Sequence, residues 1–442
     1  MPESENLLKT EKLKNFSYKF LIFASFFLYV ILYASRNLYV AEKTTLQALG
    51  NFGSYTDLAA TMEYYFYAYA IMQVGICFFM TRVNVKWLVT ITISVSSVLT
   101  ILVAFTSNVA QQWWLFIAMG VCQACVWGSL LKNLGKYLPE KMLASANVTM
   151  ASGPAVGFVL SYVIAAVFGD DWTTPFILLG VILMITVIIY FYSVSLAGKF
   201  PRHVEIHHVI REDGTEEEIV GEDNDFIHLN NKKRVVGFYL FSALIGLLFA
   251  GLYTALSNNL DLFLKQVGGF NNTVSKYITI LVPVMVIVGP FLMVKVCDRF
   301  RDFIKVSFVG ALICLMFLLP LLFFFNTSVW LSLALFLAFL IVLNGIRSVT
   351  LSIASLKLRD RLDTGLYSTV VNVPSSLFTG VGPKLFTIVV DNPALSITQN
   401  WTNAFLFGTI WCAVTIALLI GCIFLVKLLH KIDNKNKKAV SL

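Results

Sequence analysis

Twelve long apolar runs, parted by short polar interruptions, fill almost the whole chain. They lie near 20–41, 57–80, 87–106, 112–135, 143–168, 174–197, 235–263, 277–296, 304–325, 329–356, 365–390 and 402–428. Each is long enough to cross a bilayer as a helix, which takes about 20 residues. With so few charged residues such a chain could not cover a water-facing surface, so its surface must face lipid. Only one polar stretch is long, 198–234, and it falls between run six and run seven. Within it V-E-I-H-H-V-I-R-E-D-G-T-E-E-E-I-V predicts a small hairpin turning at Asp213-Gly214.

The predicted organisation is therefore an all-α polytopic membrane protein of twelve transmembrane helices in two pseudo-symmetric six-helix bundles. Residues 1–19 form an N-terminal tail, 20–197 one bundle, 198–234 a central loop, 235–428 the second bundle and 429–442 a C-terminal tail. Two internal echoes relate the halves. Leu32-Tyr33-Ala34-Ser35-Arg36-Asn37-Leu38 in run 1 resembles Leu252-Tyr253 and Ser257-Asn258-Asn259-Leu260 in run 7. Gly153-Pro154 in run 5 echoes Gly382-Pro383 in run 11.

Composition agrees. Of 442 residues, 58% are hydrophobic and 13% charged, where soluble proteins carry about 25% charged residues. A net charge of +8 would on its own suit a nucleic-acid partner, but its placement argues against that. Of the 33 Lys and Arg residues, 26 fall in the tails and alternate loops, and the other loops hold only Lys43, Lys265 and Lys276. By the positive-inside rule both termini are cytoplasmic, which an even number of spans requires. The expected setting is the plasma membrane, with the lipid bilayer and a small molecule as partners, no nucleic acid, and a monomeric state. The first run is too long, and the N-terminus too mixed in charge, for a cleavable signal peptide. The seven cysteines sit mostly in apolar runs and imply no disulfide framework; Cys122 and Cys125 read as packing residues.

Four cations fall inside the runs: Arg36, Lys132, Arg347 and Lys384. Intramembrane charge costs about 2.5–3.5 kcal/mol at mid-helix, so it points to function. Arg36 lies 17 residues past Lys19, about 25 Å along a helix and beyond snorkelling range. Arg347 lies 10 residues before Lys357, about 15 Å from the inner surface. Neither has an acid one helical turn away. Two readings follow. Both guanidiniums clamp an anionic substrate, since their fork matches carboxylate and phosphate. Or they are structural, pairing with Glu63 or Asp261, near the outer ends of runs 2 and 7, or with helix C-terminal carbonyls. Tyr33, Asn37, Tyr253 and Asn258 lie at the same depths and are candidates to line the site. Lys384 reads as snorkelling to the outer interface, and Lys132 as serving the inner surface.

All five histidines are in cytoplasmic segments, so a histidine proton relay is not expected; coupling to protons would fall to Glu63 or Asp261. No phosphate-binding P-loop is present, and no cluster of His, Asp or Ser suits an enzyme. No cofactor or metal is expected.

Two six-helix halves with charged 2–3 and 8–9 turns resemble the major facilitator superfamily. Its loop signature is similar to Lys295-Val-Cys-Asp298-Arg299-Phe-Arg301, and more weakly to Thr81-Arg82 and Lys86. Within it, three stretches resemble the organophosphate:phosphate antiporters. They are Tyr33-Ala-Ser-Arg36-Asn37, then Val126-Trp127-Gly128-Ser129 with Lys132, Tyr137-Leu138 and Glu140-Lys141, then Phe263-Leu264-Lys265-Gln266-Val267. The resemblance implies alternating access, a phosphate-contacting role for Arg36 and a gating role for Asp298, Arg299 and Arg301. The antiporters' second binding arginine aligns with Tyr253, and their segment-5 histidine with Pro154, so Arg347 stands to replace the lost partner. The implied function is transport of a small organic anion, with a phosphorylated metabolite exchanged for phosphate as one form. The alternatives are a proton-coupled or facilitative carrier of a neutral or cationic solute, and a transporter-like sensor without flux.

Overall fold

The computed structural model describes residues 2–79, 82–200, 207–210, 216–219, 245, 248–300, 303–348 and 364–440. The spans form where apolar runs leave the backbone no partner but itself, so every amide must be satisfied inside a helix. Span 1 is the helix Pro2–Ala48, span 2 Tyr55–Phe79 and span 3 Val85–Val103. Span 4 is broken into Val109–Gln123 and Val126–Tyr137; span 5 is Glu140–Phe168 and span 6 Thr173–Ala197. Span 7 ends in a second break, between residues 248–257 and Leu260–Gln266. Span 8 follows as Asn272–Thr279 and Leu281–Phe300. Phe303–Phe324, Val329–Ser348, Thr364–Val390 and Ile397–Val440 are spans 9 to 12. Among the described residues, 8 helices meet the length and hydropathy needed to cross a membrane. Span 2, rich in tyrosine, and span 7, cut by its break and by undescribed residues, are among those that do not meet the threshold. In the central loop, β1 (His207–Ile210) pairs antiparallel with β2 (Glu216–Ile219), His207 opposite Ile219. The hairpin is therefore as expected, and its turn lies outside the described residues.

Packing repeats with a period of six spans. Span 2 packs on 4, 3 on 6 and 3 on 4; correspondingly 8 packs on 10, 9 on 12 and 9 on 10. The halves meet along two seams, span 2 against 11 and span 5 against 8, which exchange under the same relation. Span 3 shows the inside-out pattern within one helix. Val89, Ser96, Ser97 and Thr100 are buried while Trp87, Ile91, Val95 and Leu102 face outwards.

Close backbone approach depends on glycine at equivalent places. A side chain at Gly157 in span 5 would put its first carbon 2.5 Å from the Val30 carbonyl oxygen and 2.6 Å from the Tyr33 Cβ of span 1. One at Gly382 in span 11 would run into the Gly251 carbonyl of span 7. Small residues at such crossings let membrane helices make the dispersion contacts that hold them together. Gly157→Leu is accordingly expected to push span 1 from span 5 and to cost about 1–3 kcal/mol. Thermal unfolding in detergent checks it; an unchanged melting temperature would refute the close crossing.

Candidate functional site

Span 1 carries Arg36 into the interior of the first half, with only 8% of its surface exposed. Aromatic side chains enclose it. Its guanidinium carbon lies 3.9 Å from the Tyr33 ring centre, 5.5 Å from Tyr65 and 5.4 Å from Phe66. Tyr33 precedes it by nearly one turn on span 1; Tyr65 and Phe66 come from span 2. Nη1 donates to the Tyr65 hydroxyl at 3.3 Å. Nε is buried with no acceptor. No carboxylate among the described residues lies at ion-pair distance. Cation–π contact offsets part of the cost of burying the charge, roughly 2 kcal/mol where water is excluded. It supplies no counter-ion. Below Tyr33 the aromatic lining continues: Tyr29 donates to the Tyr33 hydroxyl at 3.3 Å and packs on Trp127 at 5.1 Å.

Arg347 enters from span 10, half-buried, with its guanidinium 6.0 Å from the ring centre of Tyr253 on span 7. It too has no carboxylate partner among the described residues. Each guanidinium thus lies against a tyrosine, Arg36 against Tyr33 in the first half and Arg347 against Tyr253 in the second. Asn37 and Asn258 are half-buried, and Asn258 sits in the break of span 7. Asn259 beside it is buried and donates to the Ala255 carbonyl at 2.7 Å, supplying a donor next to the break. Non-helical backbone at membrane depth is tolerated where it lines a cavity or is covered by protein.

The two acids that could have neutralised these arginines are committed elsewhere. Glu63 pairs with Lys384 of span 11 at 2.6 Å and accepts from Tyr67 at 2.7 Å. Lys384 therefore does not snorkel to the interface: it bridges the 2–11 seam, where a buried carboxylate outcompetes the headgroup region. Asp261 pairs with Lys265 at 2.9 Å and accepts from Thr44 at 2.8 Å. The structural pairing of Arg36 or Arg347 with Glu63 or Asp261 is thus not what forms. The side chains of Asp298 and Arg299, and all of Arg301, lie outside the described residues.

A second polar centre closes the end of the molecule away from the termini. Lys276 at the start of span 8 and Glu42 on span 1 form an ion pair at 2.9 Å with both side chains 0% exposed. The same ammonium donates to Thr45 at 3.1 Å and to the carbonyls of Ala165 and Gly169 at 3.3 and 3.2 Å. Next to it, Lys265 donates to Thr44 and to Asn272, and Asn272 donates to Asp170 across the halves. Lys43 is also buried, 4.0 Å from the Tyr55 ring centre. Of the three lysines that read as loop charges, Lys265 and Lys276 therefore bond across the seam between the halves, and Lys43 is buried beside it. The only sequence signal for this was their scarcity. Each lysine in a region that otherwise avoids positive charge needed a reason to be there.

Residues 20–383 match the Major Facilitator Superfamily. No curated protein matches the sequence significantly. Among solved structures, the fold is similar to a bacterial homologue of the human lysosomal transporter Spinster in its inward-facing, occupied form (TM-score 0.65, 15% identity, 93% of this chain and 97% of that one). It is similar to the unoccupied form of that homologue (TM-score 0.69, 13% identity, 93% and 97%). It also resembles the nucleoside transporter NupG (TM-score 0.62, 14% identity, 92% and 99%). At these identities the likeness is one of fold.

Proposed function

This chain belongs to the major facilitator superfamily and is a multi-pass membrane transporter, and we propose that its cargo is a small organic anion carried by alternating access. The observation that carries the reading is the Arg36 guanidinium: buried, stacked on Tyr33, with Nε lacking an acceptor and no carboxylate of the described residues at ion-pair distance. A charge held in a low-dielectric interior calls for a counter-ion. Since Glu63 and Asp261 are paired with lysines, that counter-ion comes with the substrate. Arg36 and Arg347 bind the anionic head from the two halves, and Tyr33, Asn37, Tyr253 and Asn258 contact the remainder. A phosphate ester exchanged for phosphate fits two guanidiniums well, because each can donate to two oxygens of one group. The anion draws the halves together, and the lysine lock of the far seam opens and closes against it. The charge bias of the loops supports cytoplasmic termini and a plasma-membrane setting. All the residues proposed to bind the anion come from one chain, which supports a monomer.

A thermal-shift screen of the purified protein tests the reading. Inorganic phosphate, sugar phosphates and carboxylates are expected to raise the melting temperature, by about 2.7 kcal/mol of added stability at 100 times Kd. Nucleosides and uncharged sugars should not. Stabilisation by neutral solutes alone would overturn the proposal.

A further inference from the structure

A relay of fully buried side chains reaches Arg36 from behind. The Tyr65 hydroxyl, which accepts from Arg36 Nη1 at 3.3 Å, donates to Gln123 Oε1 on span 4 at 2.7 Å. Gln123 Nε2 donates to Ser96 Oγ on span 3 at 2.8 Å. Tyr65, Gln123 and Ser96 are 0%, 2% and 0% exposed. Four spans are thus joined through one chain of bonds, and the direction of each bond is fixed. A guanidinium can only donate, so Tyr65 must offer it a lone pair and point its single proton elsewhere. The amide oxygen of Gln123 takes that proton. If the amide were turned over, its NH2 would meet Tyr65 and drive the phenolic proton towards the guanidinium, donor against donor. Ser96 Oγ accepts from Nε2 and so completes the bonding of the amide in the orientation that the guanidinium dictates.

The geometry points to Gln123 as a positioning residue of the anion site. The Tyr33 ring sets the plane of the Arg36 guanidinium, and the Gln123–Tyr65 relay sets its rotation within that plane. Nη1 is thereby engaged, and the edge carrying Nε is left without an acceptor. This rests on the reading of Arg36 as the anion-binding group. Gln123 touches no ligand; it acts through Tyr65.

The test uses the full-length protein in lipid nanodiscs, labelled with 15N-arginine, with the Arg36 Nε–Hε resonance assigned by its loss in Arg36→Lys. Gln123→Met keeps the bulk and removes the acceptor. It is expected to shift the Arg36 resonance without ligand and to weaken binding of inorganic phosphate about tenfold, as for a hydrogen bond to a charged group. Tyr65→Phe should do the same. Because Gln123 acts only through Tyr65, the double variant should be no worse than Tyr65→Phe alone, a result that general loosening of the bundle does not give. Ser96→Ala, which removes only the far end, should move the resonance in the same direction by less, and it decides the matter if Gln123→Met does not fold. An unmoved resonance in these variants, or a double variant whose loss is the product of the two single losses, overturns the proposal. A resonance that moves as expected in a protein that binds no phosphate upholds the relay and removes the anion reading instead.

Discussion

Arg36→Gln is expected to abolish transport, lowering uptake by a factor of about 100 or more. Removing one partner from a buried, hydrogen-bonded charge pair costs roughly 3–5 kcal/mol, because the other charge is left uncompensated. Here the stranded partner would be the substrate anion. Arg36→Lys keeps the charge but loses the planar fork and the stacking on Tyr33, and should cost about tenfold. Arg347→Gln should lower uptake as well, by less, since Arg347 is the more exposed of the two and its aromatic contact the looser, at 6.0 Å. The measurement is uptake into proteoliposomes of the anion picked out by thermal shift. A control separates site from fold. Without ligand, Arg36 has no counter-ion among the described residues, so Arg36→Gln should melt no lower than the native protein while losing the ligand-induced rise. Wild-type rates in both Arg36→Lys and Arg347→Lys would sink the clamp.

The spans, the two halves and the buried arginines are legible in the sequence for a physical reason. Each is a statement about one segment: an apolar run must be helical in lipid, and a charge deep within it must have a use. What the sequence withholds is pairing across distance. Nothing near Lys276 points to Glu42, 234 residues away, and nothing near Lys384 points to Glu63. A lysine at the end of a span looks the same whether it reaches for headgroups or for a carboxylate on the other half. Gln123 was missed for another reason. A lone amide in an apolar run reads as glue between helices, and only the bonds on either side of it give it a direction. The breaks in spans 4 and 7 were hidden too, because Ala124-Cys125 and Asn258-Asn259 carry no glycine or proline to announce them.

Breaking the Glu42–Lys276 pair should have the second large effect, and on conformation rather than on binding. With both side chains at 0% exposure and 2.9 Å apart, Glu42→Gln leaves Lys276 with only neutral acceptors in a dry seam. Lys276→Met leaves Glu42 with no ion-pair partner among the described residues. Either change should disfavour the closed seam by roughly 3–5 kcal/mol, which moves the equilibrium towards an open far side by about two to four powers of ten. Water then solvates the orphaned charge, and that relief is what drives the opening. Spin labels at Asn51 and Asn271, exposed on the two halves at this end, should report a longer distance in each single variant, and uptake should slow because the closed state is rarely reached. Combining Glu42→Gln with Lys276→Met should restore both the short distance and much of the uptake, because a neutral pair of similar shape leaves no uncompensated charge in the seam. The rescue is the decisive result. If the double variant stays open, the seam needs the charges themselves; if the single variants stay closed, the pair is not the lock.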